Sequence, residues 1–313
     1  MRAIAVSAFR AEPRLVELPK PDPEAGEVRV KVEYAALNPL DWQTADGAPG
    51  EAVPPVFPLV LGTDFAGRVD MIGSGDNTFR VGDPVFGRVT APPLGRCGAY
   101  GEYLCVPQDS AIALVPRDMP LQAAAALPSA GTTAAQILSS TAVRSGLSLL
   151  VIGATGGVGS FLTQLAAARG IGVVAAVRGE EGRRMGALGA TATVDTTSGP
   201  EALAAAVRAL YPDGVDALVD LVSTDAASFA AHAALLRDGG VAVTTRSVAA
   251  PPGVAWSDFR LAPSAVLLDE LASAVARGEL DVPIDMELPL EKAPQALAQN
   301  RAGGARGKTV FAI

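Results

Sequence analysis

Up to about residue 120 the apolar positions fall in short, Val-rich runs with a period near two. These are RAIAV at 2–6, EVRVKVEYAAL at 27–37, FAGRVDMI at 65–72, DPVFGRV at 83–89 and GEYLCVP at 101–107. Turn-forming stretches such as GSGDN and RVGDP separate them. Alternation bounded by Gly and Pro predicts β-strands, and their succession predicts an all-β, partly closed barrel.

From Leu121 the pattern changes to Ala-rich helical stretches alternating with continuous apolar runs. LSLLVIG (147–153), GVVAAVR (172–178), ATATVD (190–195), VDALVDLV (215–222) and GVAVTTR (240–246) have the character of buried strands. Each except the last precedes a helix-compatible segment, so right-handed βαβ units and a doubly wound parallel sheet are expected. Gly170 after FLTQLAAAR and Gly189 after RRMGAL act as helix stops. The tail carries one helix, SAVLLDELASAVARG, and ends in KTVFAI, a strand with no helix after it that returns to the N-terminal domain. The expected organisation is therefore an α/β chain: a β domain over 1–121, a nucleotide-type domain over 122–262 and a returning segment over 263–313. No internal repeat or long disordered linker interrupts it.

Composition narrows the function. The 313 residues are 49% hydrophobic and 19% charged, which fits a compact folded chain. A net charge of −8 repels phosphate backbones and argues against a nucleic-acid partner. The first ten residues alternate like a strand and lack signal-peptide organisation, and the apolar runs are too short to cross a bilayer, so a cytoplasmic protein with no membrane partner is expected. Only Cys97, Cys105 and His232 are available as Cys or His ligands. They exclude a four-cysteine zinc lobe, and a Cys/His catalytic zinc would need all three. Reduced thiols suit the two cysteines in a cytosolic setting. His232, in the helix before the fifth strand, reads as a surface or satisfied packing histidine. No GxSxG and no Ser/His/Asp set supports hydrolase chemistry.

The stretch LLVIGATGGVGSFLTQLAAARG, 149–170, carries the chemistry. It resembles the dinucleotide fingerprint G-x-G-x-x-G with Ala154, Gly156 and Gly159 at the three glycine positions. A strand precedes it and a helix follows from Gly157. In this reading Gly156 lets the backbone approach a pyrophosphate and Gly159 lets the helix pack on the sheet, while N–H groups around Gly157 and Val158 face the phosphates. Ala154 fits if its φ stays negative, with Gly153 giving slack before it, and Thr155 lies inside the phosphate turn. Arg178 ends the next strand, nineteen residues past Gly159. An NAD site places a carboxylate there for the ribose 2′-OH, whereas a guanidinium pairs with a 2′-phosphate, so NADPH is the expected cofactor. Arg183 and Arg184, one turn on, either assist Arg178 or are solvated helix charges; Glu180 and Glu181 read as charges complementing the helix dipole.

The ordered blocks ALNPLDW (36–42), PLVLGTDFAGRVDMIGSG (58–75), FRVGDPVFG (79–87), GAYGEYLCVP (98–107), AAALPSAGTTAAQIL (124–138), GATGGVG (153–159) and GGARGKTV (303–310) resemble one family along almost the whole chain. That family is the zinc-independent, NADPH:quinone oxidoreductase-like branch of the medium-chain dehydrogenase/reductase superfamily. The resemblance implies a GroES-like catalytic β-barrel and a Rossmann domain, with cofactor and substrate in the cleft between them. It implies NADPH, hydride transfer to a quinone or to an enone or enoyl substrate, and a homodimer. Where zinc-dependent relatives carry a Cys ligand and a Gly-His-Glu motif, this chain has ALNPLDWQ and Gly62-Thr63-Asp64, so zinc-dependent alcohol oxidation is not expected.

Residue by residue, the resemblance assigns Asn38 to a place near the nicotinamide ribose or the substrate carbonyl. There its amide would donate to a developing enolate oxygen; the other reading is an Asn that shapes the turn at Pro39. Asp41 reads as a helix-start residue. Thr133 matches a cofactor-contacting Thr, or else bonds its own helix backbone. Leu221 and Val222 after the fourth strand, and Thr245 after the fifth, are expected at the nicotinamide edge. Arg246 is either an anion ligand or a surface charge. Trp42 and Gln43 are expected beside the substrate, with a buried structural Trp as the alternative for Trp42. Tyr100 and Tyr103 are expected to pack within the barrel. Many quinone reductases of the branch carry a Tyr and then an Arg after the Asp, where this chain has Gln43 and Ala45. That leaves two further readings open: a non-catalytic NADPH-binding protein, and a reductase dedicated to one biosynthetic enoyl or ketone intermediate.

Overall fold

A computed structural model of the chain describes residues 1–48, 54–89 and 95–313. Contacts divide these into two compact units, Met1–Thr132 with Pro263–Ile313 (unit 1) and Thr133–Ala262 (unit 2).

In unit 1 the chain runs β1 (Arg2–Val6), β2 (Arg14–Glu17), β3 (Glu27–Ala36), α1 (Pro39–Ala45), β4 (Leu59–Val60), β5 (Asp64–Ile72), β6 (Pro84–Arg88), β7 (Tyr103–Pro107), β8 (Ile112–Leu114) and α2 (Leu121–Ala126). Helix α3 (Pro128–Ser140) leads on to unit 2. Unit 2 holds β9 (Ser148–Ile152), α4 (Gly157–Ala168), β10 (Gly172–Val177), α5 (Gly182–Ala187), β11 (Ala192–Asp195), α6 (Pro200–Leu210), β12 (Val215–Asp220), α7 (Ala226–Ala233), β13 (Leu236–Thr244) and β14 (Ala255–Asp258). The chain then returns to unit 1 with α8 (Ala265–Ala276), β15 (Ile284–Pro289), α9 (Ala293–Ala302) and β16 (Lys308–Ala312).

Alternation in unit 1 does what period two requires. Val28, Val30 and Val32 of β3 and Phe65 and Val69 of β5 bury in one core with Ile4 and Val6 of β1 and Phe311 of β16. One sheet has the order β2-β1-β4; a larger one has the order β15-β16-β3-β5-β6-β8, with β7 also on β3. The closing KTVFAI run pairs antiparallel with β3 through Val310–Ala312, as its apolar pattern predicts. Strands β2, β4, β8 and β15 were not anticipated. β4 is two residues long, β2 is largely exposed, and β15 carries an apolar face of only three residues, Ile284, Met286 and Leu288.

In unit 2 every adjacent strand pair is parallel, in the order β11-β10-β9-β12-β13-β14. Counted from β9, this is 3-2-1-4-5-6, the doubly wound arrangement, whose topological switch point lies at β9. The sheet has one strand more than the five expected: β14 follows β13 directly, and its residues Ala255–Ser257 are exposed, so no buried run marks it. Helix α2 packs on β3, β5, β6 and β16. It therefore belongs to unit 1, and the division falls inside α3 rather than at the expected Leu121. Among the described residues no helix is long and apolar enough to cross a membrane.

Candidate active site

The glycine loop grows out of β9, whose five residues are all buried. Gly153 turns the chain at φ +87°, and a Cβ there would stand 2.8 Å from the Val222 side chain. Ala154 follows, fully buried and outside the positive-φ set, as its place in the fingerprint requires. Gly156 caps α4 at φ −74°. A Cβ on Gly159 would lie 2.4 Å from the Gly153 oxygen and 2.6 Å from Ala154 Cα, so glycine there is what lets α4 close on the loop. Gly156 differs: an added Cβ would meet only the Gly153 oxygen, at 3.5 Å. The chain itself gives no reason for glycine at that point; an open cradle in front of the first, unpaired N–H groups of α4 does. A dinucleotide pyrophosphate fits this donor set.

Arg178 stands exposed one residue past β10, and Arg183 is exposed on α5. Neither makes an ion pair among the described residues, so both are available to a 2′-phosphate. Arg184 has another role, which sequence reading missed. Its Nε donates to Glu181 at 2.7 Å, its Nη2 to the Thr155 carbonyl at 3.0 Å and its Nη1 to Ser160 Oγ at 3.4 Å. It braces the phosphate turn from behind, and Thr155 is held through its backbone. Glu181, expected as a helix-dipole charge, is the partner of that brace.

Leu221 and Val222 follow β12 at the switch point, beside Gly153. Their turn is pinned by Asp220, a fully buried carboxylate. Asp220 accepts from the Val222 and Ser223 N–H groups at 3.0 and 2.9 Å and from Ser223 Oγ at 2.7 Å, and lies 2.8 Å from His232 Nδ1. Burial pushes its carboxyl up, but these bonds outweigh burial and hold it below the usual range. His232 is thus a satisfied packing histidine, as read from sequence. Thr245 lies one residue past β13, half-buried, with Arg246 beside it. Thr133 is half-buried on α3; it is its neighbour Thr132 whose hydroxyl bonds back to the Pro128 carbonyl.

In unit 1, Asn38 is kept extended (φ −129°, ψ 151°) by the following proline and caps α1, with Pro39 opening the helix. Its N–H donates to Asp41 Oδ2 at 2.8 Å, so Asp41 is the helix-start residue expected. The side chains form a continuous polar network in an otherwise apolar core. Lys308 Nζ donates to Asn38 Oδ1 at 2.6 Å and to the Leu37 carbonyl at 2.8 Å. Asn38 Nδ2 donates to Thr63 Oγ1 at 3.2 Å, which donates to Asp41 Oδ1 at 3.0 Å. Tyr100 OH donates to Asp41 Oδ2 at 2.7 Å. Close by in sequence, Asp64 accepts from Ser129 N at 2.9 Å and Oγ at 2.6 Å. Burial dominates the electrostatics. It raises the Asp41 carboxyl to about 6 against the pull of the Tyr100 and Asn38 bonds, holds the Tyr100 phenol well above its usual range and lowers the Lys308 ammonium. Gly62 lets Tyr100 reach this position: at φ +92°, its missing Cβ would lie 2.4 Å from the tyrosine ring.

Sequence reading found Asn38 and Asp41 but missed Lys308, Thr63 and the Tyr100 hydroxyl. The available signal was a lysine at the head of the apolar run KTVFAI, whose strand is central enough to bury it. Trp42 is committed elsewhere than to an open wall. Its indole N–H donates to Asn300 Oδ1 at 3.1 Å, and the Arg301 guanidinium covers its ring at 5.3 Å, joining α1 to α9. Gln43 is half-buried on the same helix.

Two family models match the chain in succession. Residues 24–117 match the alcohol dehydrogenase GroES-like domain family and residues 188–311 the zinc-binding dehydrogenase family. The chain is 30% identical over 318 residues to a chloroplast envelope quinone oxidoreductase homolog of Arabidopsis thaliana, covering 94% of this chain and 92% of the relative. It is 30% identical over 299 residues to an NADPH-dependent alkenal/one oxidoreductase of the same plant, covering 93% and 73%. Among solved structures, an NAD-dependent alcohol dehydrogenase superposes with a TM-score of 0.89 at 28% identity, with both chains covered fully. A mycobacterial protein in complex with NADPH superposes with a TM-score of 0.86 at 27% identity, again over both whole chains. With a relative at 30% identity matched over 92% of its length and both domain families in order, the chain belongs to the quinone oxidoreductase-like branch of the medium-chain dehydrogenase/reductase superfamily.

Proposed function

We propose that this chain is an NADPH-dependent reductase of conjugated carbonyl compounds, a quinone or an α,β-unsaturated aldehyde, ketone or enoyl compound, and that it works without zinc. The observation that carries the reading is the open cradle at Gly156 together with the exposed guanidinium of Arg178, which makes no ion pair among the described residues. The cradle accepts a pyrophosphate, with Ala154 to Gly159 around it. Arg178, aided by Arg183, favours a 2′-phosphate over a bare 2′-hydroxyl. Thr133, Leu221, Val222 and Thr245 complete the cofactor contacts in this reading, and the Asp220 bonds keep the turn carrying Leu221 and Val222 in place.

Bound NADPH supplies the hydride. Asn38 donates an amide N–H to the carbonyl oxygen on which negative charge develops, and it does so from a preset position, which is where such a donor is effective. Gln43 borders the acceptor, while Trp42, held by Asn300 and Arg301, fixes α1 against α9. Water supplies the proton. At the positions that zinc-dependent relatives use, Thr63 is bonded on both sides, to Asn38 and Asp41, and the Asp64 carboxylate is taken by Ser129. The remaining soft donors are engaged with neighbours, since His232 lies on Asp220 and the Cys105 N–H donates to Cys97 Sγ at 3.3 Å.

A cytoplasmic homodimer completes the reading. Reduced Cys97 and Cys105 suit that compartment, and the edge strand β14, with Trp256 41% exposed, suits a self-association surface. The rival reading, an NADPH-binding protein without turnover, draws on Gln43 and the buried Ala45 where many quinone reductases carry Tyr and Arg. Following NADPH absorbance against 1,4-benzoquinone, 2-hexenal and a short enoyl thioester decides between them. Oxidation that depends on an acceptor and falls in Asn38→Ala supports the reductase. Tight NADPH binding with no oxidation by any acceptor overturns it, and turnover of the enoyl thioester alone identifies a dedicated enzyme.

A further inference from the structure

The buried lysine of β16 has no place in the reaction as described so far, although it makes the shortest bond to the residue on which that reaction depends. Lys308 is 3% exposed and Asn38 6%. Thr63, on the other side of the amide, is only half-buried. The Asn38 amide therefore has an interior side, facing Lys308, and a side nearer solvent, facing Thr63. We propose that Lys308 is a positioning residue that locks the Asn38 amide with its oxygen inward and its N–H bonds on the Thr63 side, where an acceptor carbonyl is received.

The hydrogen-bond chemistry allows one orientation. An ammonium only donates, so the atom 2.6 Å from Lys308 Nζ must be the amide oxygen. Thr63 has one hydroxyl proton and gives it to Asp41 Oδ1, so its oxygen must accept from Asn38 Nδ2. Turning the amide over would set N–H against ammonium and oxygen against oxygen, losing two bonds at once. Asp41 is fixed in turn by the Tyr100 hydroxyl and the Asn38 N–H, so the chain of donors is anchored at both ends. One Nδ2 hydrogen goes to Thr63, and the second has no partner among the described residues. The cation on Oδ1 also withdraws electron density from the amide, strengthening that remaining N–H as a donor. Without Lys308 only the 3.2 Å bond to Thr63 holds the amide, and for part of the time it turns over and presents oxygen, a repulsive group, to a developing oxyanion.

This inference rests on the reductase reading, and its test separates the two. Steady-state rates with NADPH and 2-hexenal or 1,4-benzoquinone are compared for the wild type, Lys308→Met, Asn38→Ala and the double variant. Each single variant is expected to lose about 10- to 100-fold in kcat, the double variant no more than Asn38→Ala alone, and the NADPH Kd to stay within about twofold of wild type. Wild-type kcat in Lys308→Met, or losses that multiply in the double variant, overturns the proposal. Should Lys308→Met fail to fold, Asn38→Asp gives the decision: it keeps the lysine paired, so it is expected to fold and lose turnover, and retained turnover refutes the role. If the wild type turns over neither acceptor, the reductase reading fails on its own. The lock is then read by the exchange of the Asn38 side-chain amide protons in 1H–15N NMR, identified by their absence in Asn38→Asp. At least about tenfold faster exchange in Lys308→Gln supports it, and unchanged exchange removes it.

Discussion

Adding one methyl group at either of two glycines in the same turn should produce opposite results. At Gly159 the new Cβ would lie 2.4 Å from the Gly153 oxygen and 2.6 Å from Ala154 Cα, both backbone atoms that cannot rotate away. Ordinary contact begins near 3.4 Å, so α4 must retreat by about 1 Å, an overpacking that costs about 1–3 kcal/mol. That corresponds to a fall in Tm of roughly 2–4 °C for each kcal/mol. At Gly156 the new Cβ meets one oxygen at 3.5 Å, and φ of −74° suits alanine, so the ligand-free protein should stay within about 0.5 kcal/mol of wild type. The methyl would, however, fill the space assigned to the pyrophosphate and remove one or more charge-assisted bonds, each worth about 1.5–3 kcal/mol, or roughly 10- to 100-fold in Kd. Thermal melts by circular dichroism without ligand, with calorimetric titration of NADPH, read both effects. Gly159→Ala should lower Tm, while Gly156→Ala should keep Tm and lose affinity. NADPH binding by Gly156→Ala as tight as wild type would refute the cradle, and equal destabilisation by both changes would refute the reasoning about close approach.

Two further outcomes follow from the same geometry. Arg178→Ala should weaken NADPH by about 1.5 kcal/mol, roughly tenfold in Kd at low salt because the side chain is exposed, and leave NADH unchanged in parallel titrations. Asp41 is buried and its carboxyl is raised from 3.8 to about 6, so its contribution to stability is complete below pH 3.8 and is lost as pH rises through 6. The gap corresponds to about 3 kcal/mol. Urea unfolding at stepped pH should therefore show wild type losing up to that amount relative to Asp41→Asn between about pH 4 and pH 7. A difference that does not change with pH would place the Asp41 proton elsewhere.

The legible parts of this chain are those whose signal is local. The strand-loop-helix around Gly156 spans few residues, and its demands, a bend at Gly153, negative φ at Ala154 and close packing at Gly159, act on the residues that form it. The unanticipated parts depend on partners distant in sequence. Lys308 is buried because β16 pairs with β3, 270 residues away from Asn38, and nothing near Gly307 announces an amide partner. Arg184 resembles a solvated helix charge until the fold brings it to the Thr155 carbonyl, 29 residues earlier. Trp42, expected at a substrate wall, is claimed by α9 through Asn300 and Arg301, and no spacing in the sequence links those elements. Strands β14 and β15 escaped notice for another reason: β14 is exposed and has no apolar run, and the alternation in β15 is only three apolar residues long, Ile284, Met286 and Leu288.

The most direct measurement of conjugate reduction follows the transferred hydrogen itself. With 2-hexenal as acceptor and each stereoisomer of [4-2H]NADPH in turn, mass spectrometry or NMR of the product locates the label. Deuterium from one isomer alone, found on the β-carbon of hexanal, is the result that hydride delivery to a conjugated carbonyl predicts. Deuterium on the carbonyl carbon of an allylic alcohol, or no transfer from either isomer to 2-hexenal together with no quinone-dependent oxidation of NADPH, would contradict it.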